Sequence, residues 1–423
     1  MTLILFGSLF LFLLLGVSVF VALGLPAVIV VLMDNSIPNL LIPQRIFFGL
    51  DRFALMAIPY FIFCAEIMGR GQIGKRLVAV SRAFFGHLPG GMAVAAVFAC
   101  LMFGAIAGAG LAALIAFGAL LHSLMRQGQY KDQFSAGLIA TSSTLSQQIP
   151  PSIIMVTFAT VTGVSAAQLF LAGLSAGILF ALVLAVYCVV YSKVKKLPTL
   201  ERIPMRERGK PLLLALPALG MMFVIFGGIY GGILSITEAA GVAAFYALLV
   251  ELFIYRSIQL KDIYAIAIKA SRTVAMIMIL IATGGMIGWL VSMWQIPQMV
   301  VGLIGDVSPL VMLLIITVIF LIAGMVLEGT TAVVVLLPLL FPAAMAAGVN
   351  PVHMGTLVIL NISIGMLTPP TGLNIFAGMS IFKLSYTQML RGLIPFIILM
   401  LVYMLILILI PGLVTWLPNL AMR

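Results

Sequence analysis

The sequence predicts an all-α polytopic membrane protein made of two inverted repeats, each with a re-entrant helical hairpin and a helix broken at a Pro-Pro pair. Three observations support this prediction: the composition, the placement of basic residues, and an internal spacing of landmarks. Of the 423 residues, 64% are hydrophobic and 8% are charged, and the mean hydropathy is +1.29. A soluble core does not account for such a chain, so long apolar stretches are expected to span a membrane as helices.

The basic residues predict the orientation of these helices. The net charge is +11, but Lys and Arg lie in short segments between apolar stretches, which is the positive-inside pattern. We therefore expect contact with membrane lipids and no nucleic-acid partner. Residues 273–382 contain no Lys or Arg, so loops there face outward or stay in the membrane. The segments expected in the cytoplasm are 70–82, 126–131, 193–210, 256–272 and 383–391.

The first hairpin is predicted from segment lengths. Two apolar pieces, 90–103 and 111–125, are joined by GAIAGAG at 104–110, and basic residues flank both ends. Each piece forms roughly 21 Å of helix, which is shorter than the apolar thickness of about 30 Å. A re-entrant hairpin over 90–125, with its tip at 104–110, satisfies both facts. Two short crossings remain the alternative, and close helix packing is the other explanation for the small residues.

The second half of the chain repeats landmarks of the first. Because the first half offers five crossings, an odd number, the repeats are predicted to be inverted. The N-terminal stretch 2–33 is either two helices or one long tilted helix. The spacing is 220 for Pro89/Pro309, Gly104/Gly324 and Gly128/Gly348, and 219 for Pro150-Pro151/Pro369-Pro370 and Gly173/Gly392. The predicted repeats are 1–200, with hairpin 90–125 and broken helix 134–159, and 201–423, with hairpin 309–347 and broken helix 351–381.

Broken helices at membrane depth point to a transport site. Proline removes a backbone donor and disfavours helix in the preceding residue, so each Pro-Pro pair frees carbonyls and exposes a helix N-terminus. Such backbone persists only where it is buried in protein or lines a cavity. Inverted repeats with discontinuous helices are typical of secondary transporters. Carbonyl, hydroxyl and amide oxygens suit Na⁺, and half-helix N-termini suit a carboxylate.

Structural roles compete with these assignments. Ser and Thr in spanning helices often hydrogen-bond to carbonyls of their own helix. Glu328 in GMVLEGTT either binds an ion or substrate, as intramembrane acids often do, or caps a helix that begins near Thr330. Glu66 is expected to pair with the neighbouring Arg70, and Glu238 to cap the helix of SITEAAG.

The sequence argues against an enzyme or a channel. The cysteines have no metal-ligand or CxxC spacing and are expected to be buried thiols, and the three histidines are scattered. No polar catalytic cluster is visible in the sequence. A channel would conduct without a sodium gradient, which separates it from a transporter. The cysteines are Cys64, Cys100 and Cys188.

Several stretches resemble the large membrane subunit of tripartite ATP-independent periplasmic (TRAP) transporters. These are AIPYFIFCAEIMGRGQIGKRL, GHLPGGMA, QIPPSI, LFLAGLSAGI, ITEAAGVAAFYAL, GMVLEGTTAVVVLLPLLFPAAMAAGVNPVHMG and NISIGMLTPPTGLNIF. The resemblance implies sodium-driven import of an organic acid anion, such as a sialic acid, dicarboxylate or sugar acid, by an elevator mechanism in the bacterial inner membrane. It also implies a small four-helix membrane subunit and a periplasmic substrate-binding protein. A stand-alone sodium/divalent-anion symporter is the alternative.

The resemblance also implies which residues bind ions and substrate. At the first tip, the chain departs from the hydroxyl-bearing SGSS or SGSA of the family, so only backbone groups are available there. The implied sodium ligands are Gly108, Gly110, Ser142, Pro150, Glu328, Gly329, Thr330, Thr331, Gly365 and Thr368, and the implied substrate contacts are Ser142, Ser143, Gln147, Asn361 and Asn374.

Overall fold

The computed structural model describes residues 1–199, 204–296, 298–299, 302 and 307–422, and the regular elements of this part of the chain are all helices. Within it, 9 helices are long and apolar enough to cross a membrane. The predicted all-α membrane class is therefore confirmed. The three cysteines are free and buried, as expected.

Residues 1–199 contain ten α-helices and one short 3-10 helix, Phe53–Met56, and the N-terminal stretch is two helices rather than one. Gly16 lies between them with φ of +73°, a left-handed conformation that interrupts a helix. The helices are α1 (Thr2–Leu14), α2 (Val19–Met33), α3 (Leu41–Leu50), α4 (Ala57–Arg70), α5 (Ile73–Phe85), α6 (Gly91–Ala107), α7 (Gly110–Gln127), α8 (Asp132–Gln148), α9 (Ile153–Thr162) and α10 (Ala166–Lys195).

The second half of the described chain repeats the order of hairpin, broken helix and long helix. This agreement supports the repeat, whereas the inverted relation and the boundary near residue 200 stay predictions, and 200–203 lie outside the described residues. The helices are α11 (Met205–Tyr230), α12 (Ile236–Leu249), α13 (Leu260–Met293), α14 (Pro309–Val326), α15 (Gly329–Ala346), α16 (Pro351–Gly365), α17 (Leu373–Phe382), α18 (Tyr386–Leu409) and α19 (Gly412–Ala421).

The helices form two packed groups. The first, here called the scaffold, contains α1–α4 and α11–α13, with α12 packed on α4 and α13 packed on α2, α3 and α4. The second, here called the hairpin unit, contains α6–α10 and α14–α18. The two groups touch where α13 packs on α15 and α4 packs on α6, and α5 lies between them, packed against α6 on one side and α11 on the other. The hairpins and broken helices therefore lie together in one unit.

The first hairpin forms, but its break is shorter than predicted. Helix α6 continues through Ala107, so only Gly108 and Ala109 separate it from α7, rather than the whole of 104–110. A Cβ on Gly104 would lie 2.5 Å from the Cα of Ser146, so this part of the glycine-rich stretch serves close packing of α6 on α8. At Gly108 the φ of +64° then ends the helix. Close helix packing thus explains Gly104, and a break in the helix explains Gly108.

The Pro-Pro pairs break two helices, as predicted. The first break lies between α8 and α9, where both prolines of Pro150-Pro151 are buried and their peptide bond is cis. The hydroxyl of Ser152 accepts a hydrogen bond from the backbone N–H of Met155, which caps α9. The second break, 366–372, lies between α16 and α17 and contains cis Pro369-Pro370. Each break creates a helix C-terminus and a helix N-terminus, buried at the first break and partly exposed at the second.

Candidate functional site

Three of the four broken elements meet at Gln147, in the last turn of α8. Its side-chain carbonyl Oε1 accepts a hydrogen bond from the Ser363 hydroxyl of α16 at 2.7 Å, and its Nε2 lies 3.3 Å from the Met366 sulfur at the second break. A Cβ on Gly110, the first residue of α7, would lie 3.1 Å from the same Nε2. Gln147 therefore links the first tip and both broken helices.

Each hairpin tip packs on a Pro-Pro break. A Cβ on Gly108 would lie 2.0 Å from the carbonyl oxygen of Pro151, so only glycine fits the first tip. At the second tip, the carbonyl of Met325 accepts hydrogen bonds from the Gly372 N–H at 3.0 Å and from the Thr371 hydroxyl. Each tip is thus in contact with one break; the first break is buried, whereas Pro369, Pro370 and Thr371 of the second break are exposed.

Glu328 caps the second half of the second hairpin. Its carboxylate accepts hydrogen bonds from the backbone N–H groups of Thr330 at 3.0 Å and Thr331 at 3.4 Å, and from the Thr330 hydroxyl. Glu328 therefore caps α15, which begins at Gly329, as one of the two predictions for this residue expected. An ion-binding role stays a prediction that is compatible with the cap, since the carboxylate also reaches the cavity described next. Glu238 caps α12 together with Ser235, as expected.

A cavity of about 680 Å³, here called the site cavity, lies between the two tips and the scaffold helices α4 and α13. It is large enough for a small organic molecule. Six of the predicted ligands lie on its wall: Gly108, Gly110, Gln147, Glu328, Thr330 and Thr331.

Other predicted residues lie behind that wall. Ser142 is buried, and its hydroxyl has no hydrogen-bond partner among the described residues; the same holds for Oδ1 of Asn361 and both amide atoms of Asn374. The hydroxyl of Ser143 instead donates to the Ala140 carbonyl of its own helix, and that of Thr368, in the second break, to the Ile364 carbonyl of α16, each at 2.7 Å. Unsatisfied buried polar atoms are costly, so the first three residues are the better candidates for a ligand.

The remaining predicted sodium ligands offer backbone positions only. Gly365 ends α16 against the end of α14, where its Cβ would lie 2.6 Å from the carbonyl carbon of Gly324. Gly329 begins α15 in contact with Ile154, and Pro150 opens the first break. All three are buried.

Sequence reasoning missed residues of two kinds. Gln148 and Thr141, on α8 beside Gln147 and Ser142, are buried, and neither amide atom of Gln148 nor the Thr141 hydroxyl has a partner in the described part of the chain. A polar run, TSSTLSQQ, was the available signal for both. Arg70 and Lys269 were missed for another reason: the scaffold brings them to the cavity wall, although neither belongs to a broken element.

The expected Glu66–Arg70 pair is wrong. Lys269 of α13 binds Glu66 at 2.7 Å, and Arg70 binds Asp262 at 2.9 Å. Both ion pairs connect α4 to α13 because these helices lie side by side, which local sequence spacing does not reveal. The site cavity thus has paired charges at its scaffold side.

Helix ends, unsatisfied polar groups and a cavity at membrane depth define a membrane transporter. A family model described as "Tripartite ATP-independent periplasmic transporter, DctM component" matches residues 6–413, and the chain belongs to this family. It is an integral membrane permease subunit of a transporter and not an enzyme, which confirms the resemblance found in the sequence.

Named relatives support this assignment. The chain is 39% identical to the ectoine TRAP transporter large permease protein TeaC of Halomonas elongata over 382 residues, 90% of each chain. It is 35% identical to the C4-dicarboxylate TRAP transporter large permease protein DctM of Pseudomonas aeruginosa, covering 94% of each. It is also 34% identical to the isethionate TRAP transporter permease protein DctMQ of Oleidesulfovibrio alaskensis, covering 97% of this chain and 65% of that one.

A solved structure shares the fold. The YdaH transporter of Alcanivorax borkumensis, whose crystal structure is described as having an unusual topology, matches with a TM-score of 0.54 at 14% identity. The match covers 85% of this chain and 84% of that chain. This likeness concerns the fold alone.

Proposed function

We propose that the chain is the membrane permease of a sodium-coupled importer that takes up a small organic carboxylate across the bacterial inner membrane. The observation that carries the proposal is that Gln147 joins the first tip and both breaks beside one cavity, whose wall also includes the second tip. Family membership supports a three-component system, with a periplasmic substrate-binding protein and a small four-helix membrane subunit as partners.

Sodium coupling is supported by the donor set. Na⁺ prefers hard oxygen ligands, and the breaks offer freed carbonyls beside the buried hydroxyls of Thr141 and Ser142 and the amide of Asn374, none of which has a partner among the described residues. At the second tip, the Glu328 carboxylate adds a negative charge next to the hydroxyl of Thr330. The first tip would bind through backbone groups alone.

An organic carboxylate as substrate is supported by the helix N-termini that lie at the same tips and breaks. The N-termini of α7, α9, α15 and α17 begin at the tips and breaks, and helix N-termini attract anions. Gln147 donates from Nε2 at the cavity wall. The relatives' names point to different compounds, ectoine, C4-dicarboxylate and isethionate, so the class rather than one compound is proposed.

An elevator movement is the proposed mechanism. The site cavity lies between the two tips and the scaffold helices α4 and α13, and displacement of the whole hairpin unit along these helices would carry the site across the membrane without dismantling it. Helix α5 is the proposed connection that accommodates the displacement.

Uptake by reconstituted protein tests the proposal. The full chain, with its small subunit, is placed in liposomes, and uptake of labelled succinate, ectoine, isethionate and a sialic acid is measured with an inward sodium gradient, with and without the binding protein. We expect accumulation of at least one compound only when sodium and the binding protein are both present. Uptake without the binding protein would favour a stand-alone symporter, and uptake without sodium would exclude the proposed coupling.

A further inference from the structure

A second cavity lies at the other end of the scaffold. It has a volume of about 390 Å³ and lies between α3, the second half of α13, the end of α9 and the middle of α15. Lys269 in the site cavity and Trp289 in the second cavity are 20 residues apart on α13, or about 30 Å along a helix. By the predicted topology Lys269 is cytoplasmic, so the second cavity is here called the external cavity.

The two cavities occupy equivalent positions in the repeat. Residues separated by 220 positions contribute one member to each cavity: Ala65 and Gly285, Gly69 and Trp289, and Ala265 and Arg45. The same spacing of 220 residues relates Pro89 to Pro309, Gly104 to Gly324 and Gly128 to Gly348. The external cavity is therefore the counterpart, on the other side of the membrane, of the cavity that holds the proposed transport site.

The charges of the two cavities differ. In the site cavity, Arg70 and Lys269 are both neutralised by ion pairs with carboxylates. In the external cavity, neither Arg45 nor Arg52 forms an ion pair with a carboxylate of the described residues. Unpaired arginines on the external side run against the positive-inside tendency, so topology does not explain them.

The geometry of Arg45 suits binding of a carboxylate. Its guanidinium carbon lies 4.7 Å from the centre of the Trp289 ring, a cation–π contact. Stacking uses the face of the guanidinium and leaves its edge N–H groups free to donate to two carboxylate oxygens. The ring of Phe341 and the side chain of Phe48 line the same cavity, which lowers competition from water.

We propose that the external cavity is an anion-binding site of the scaffold, in which Arg45 and Arg52 hold a carboxylate of the substrate before the hairpin unit receives it. The proposal rests on the proposed function for the identity of the anion as substrate. Arg45 and Arg52, which have no carboxylate partner among the described residues, would favour capture of the anion on the external side. Arg70 and Lys269, which have carboxylate partners, would favour its release on the cytoplasmic side.

Fluorescence of Trp289 tests the site directly. The full chain is prepared with Trp294→Phe and Trp416→Phe, which leaves Trp289 as the only tryptophan of three. It is placed in phosphatidylcholine nanodiscs and titrated with succinate or acetate at constant ionic strength. We expect a saturable change in emission, and Arg45→Gln or Arg52→Gln to weaken binding at least tenfold. Arg45→Lys should restore only part of the affinity, since lysine lacks the planar fork.

Controls separate the site from general charge and from lipid. Arg391→Gln, at an exposed arginine on α18, should leave binding unchanged. No saturable response to either carboxylate, or an equal response in both glutamine variants, would overturn the proposal. A phospholipid that co-purifies with the wild type and is lost from both variants would assign the arginines to a lipid phosphate and would also overturn it.

Uptake measurements separate this proposal from the proposed function. In liposomes, Arg45→Gln and Arg52→Gln should raise the half-saturating substrate concentration about tenfold, with the maximal rate retained. If wild-type uptake is driven by sodium and the variants match it, the anion site fails and the transporter function stands. If no compound is taken up but arginine-dependent binding of succinate persists, the proposed sodium-coupled uptake is contradicted and the anion site is supported.

Discussion

Gln147 and Ser363, which are 216 residues apart, share a hydrogen bond of 2.7 Å that joins the two broken helices in the buried centre of the protein. The Ser363 hydroxyl also lies 2.8 Å from the carbonyl of Ile359, so it is held between its own helix and the other half of the chain. Gln147 in addition contacts the first tip and lines the site cavity. The Gln147 side chain therefore lies where the first tip and both broken helices meet, and transport would depend on these elements.

Gln147→Ala should lower the uptake rate at least tenfold without lowering the amount of protein in the membrane. The change leaves the Ser363 hydroxyl with only the Ile359 carbonyl as acceptor and removes the Nε2 donor from the cavity wall. The net contribution of one intramolecular hydrogen bond is about 0.5–1.5 kcal/mol. Uptake in liposomes and membrane abundance check this. Gln127→Ala, at an exposed glutamine that ends α7, is the matched control. Normal uptake by Gln147→Ala would remove this residue from the site.

Gly108→Val should abolish uptake while the protein still inserts into the membrane. A Cβ there would lie 2.0 Å from the Pro151 carbonyl oxygen, so the first tip and the first break must separate. Gly163→Val is the control, because φ at Gly163 is +77° yet nothing lies within 4 Å of its Cβ position. If both variants lose uptake equally, backbone strain rather than the contact between tip and break is responsible.

Glu328→Gln should raise the half-saturating sodium concentration about tenfold, which equals about 1.4 kcal/mol of lost ion binding. Glutamine keeps an oxygen that can cap α15, so the helix should persist while the negative charge is lost. Glu238→Gln, at the cap of α12 in the scaffold, should leave the sodium dependence unchanged. The measurement is the initial uptake rate against sodium concentration. An unchanged curve for Glu328→Gln would leave this residue only its capping role.

Gly71 and Glu251 should be coupled in stability. Glu251 is fully buried, and its carboxylate accepts hydrogen bonds from the N–H groups of Gln72 at 3.0 Å and Ile73 at 2.8 Å, which caps α5. A Cβ on Gly71 would lie 2.0 Å from Oε1 of Glu251. Gly71→Ala and Glu251→Ala should each destabilise the protein. The double variant should lose less stability than the two single variants together, by about 0.5–3 kcal/mol.

Thermal denaturation in detergent measures this coupling. Gly69→Ala is the control, since the nearest atom to its Cβ position is 3.9 Å away. Strict additivity of Gly71→Ala and Glu251→Ala would show that the carboxylate does not fix the start of α5.

Much of the fold was predictable because its signals are local. Proline pairs, flanking charges and segment lengths each act on their own neighbourhood, so the hairpins and breaks were placed within a few residues. The end of α6 was misplaced because Gly104 packs closely on Ser146 of α8, which is a contact between helices. Local propensity alone does not contain that information.

The site was predictable only in part. Gln147, Glu328 and Thr330, which line the site cavity, were candidates because polar residues beside a break are conspicuous in an apolar stretch. Arg70 and Lys269 were not, because their place on the cavity wall depends on how α4 packs on α13. Their charges looked like topology signals in the sequence, and only the packed structure brings them to the site cavity.

The central claim, that this permease couples uptake of an organic carboxylate to sodium, is tested most directly by the driving force. Liposomes that contain the chain, its small subunit and the loaded binding protein are given an inward gradient of either sodium or potassium at equal membrane potential. The account predicts accumulation of the carboxylate above its external concentration with sodium, none with potassium, and loss of accumulation when the sodium gradient is dissipated. Equal accumulation with potassium would contradict it.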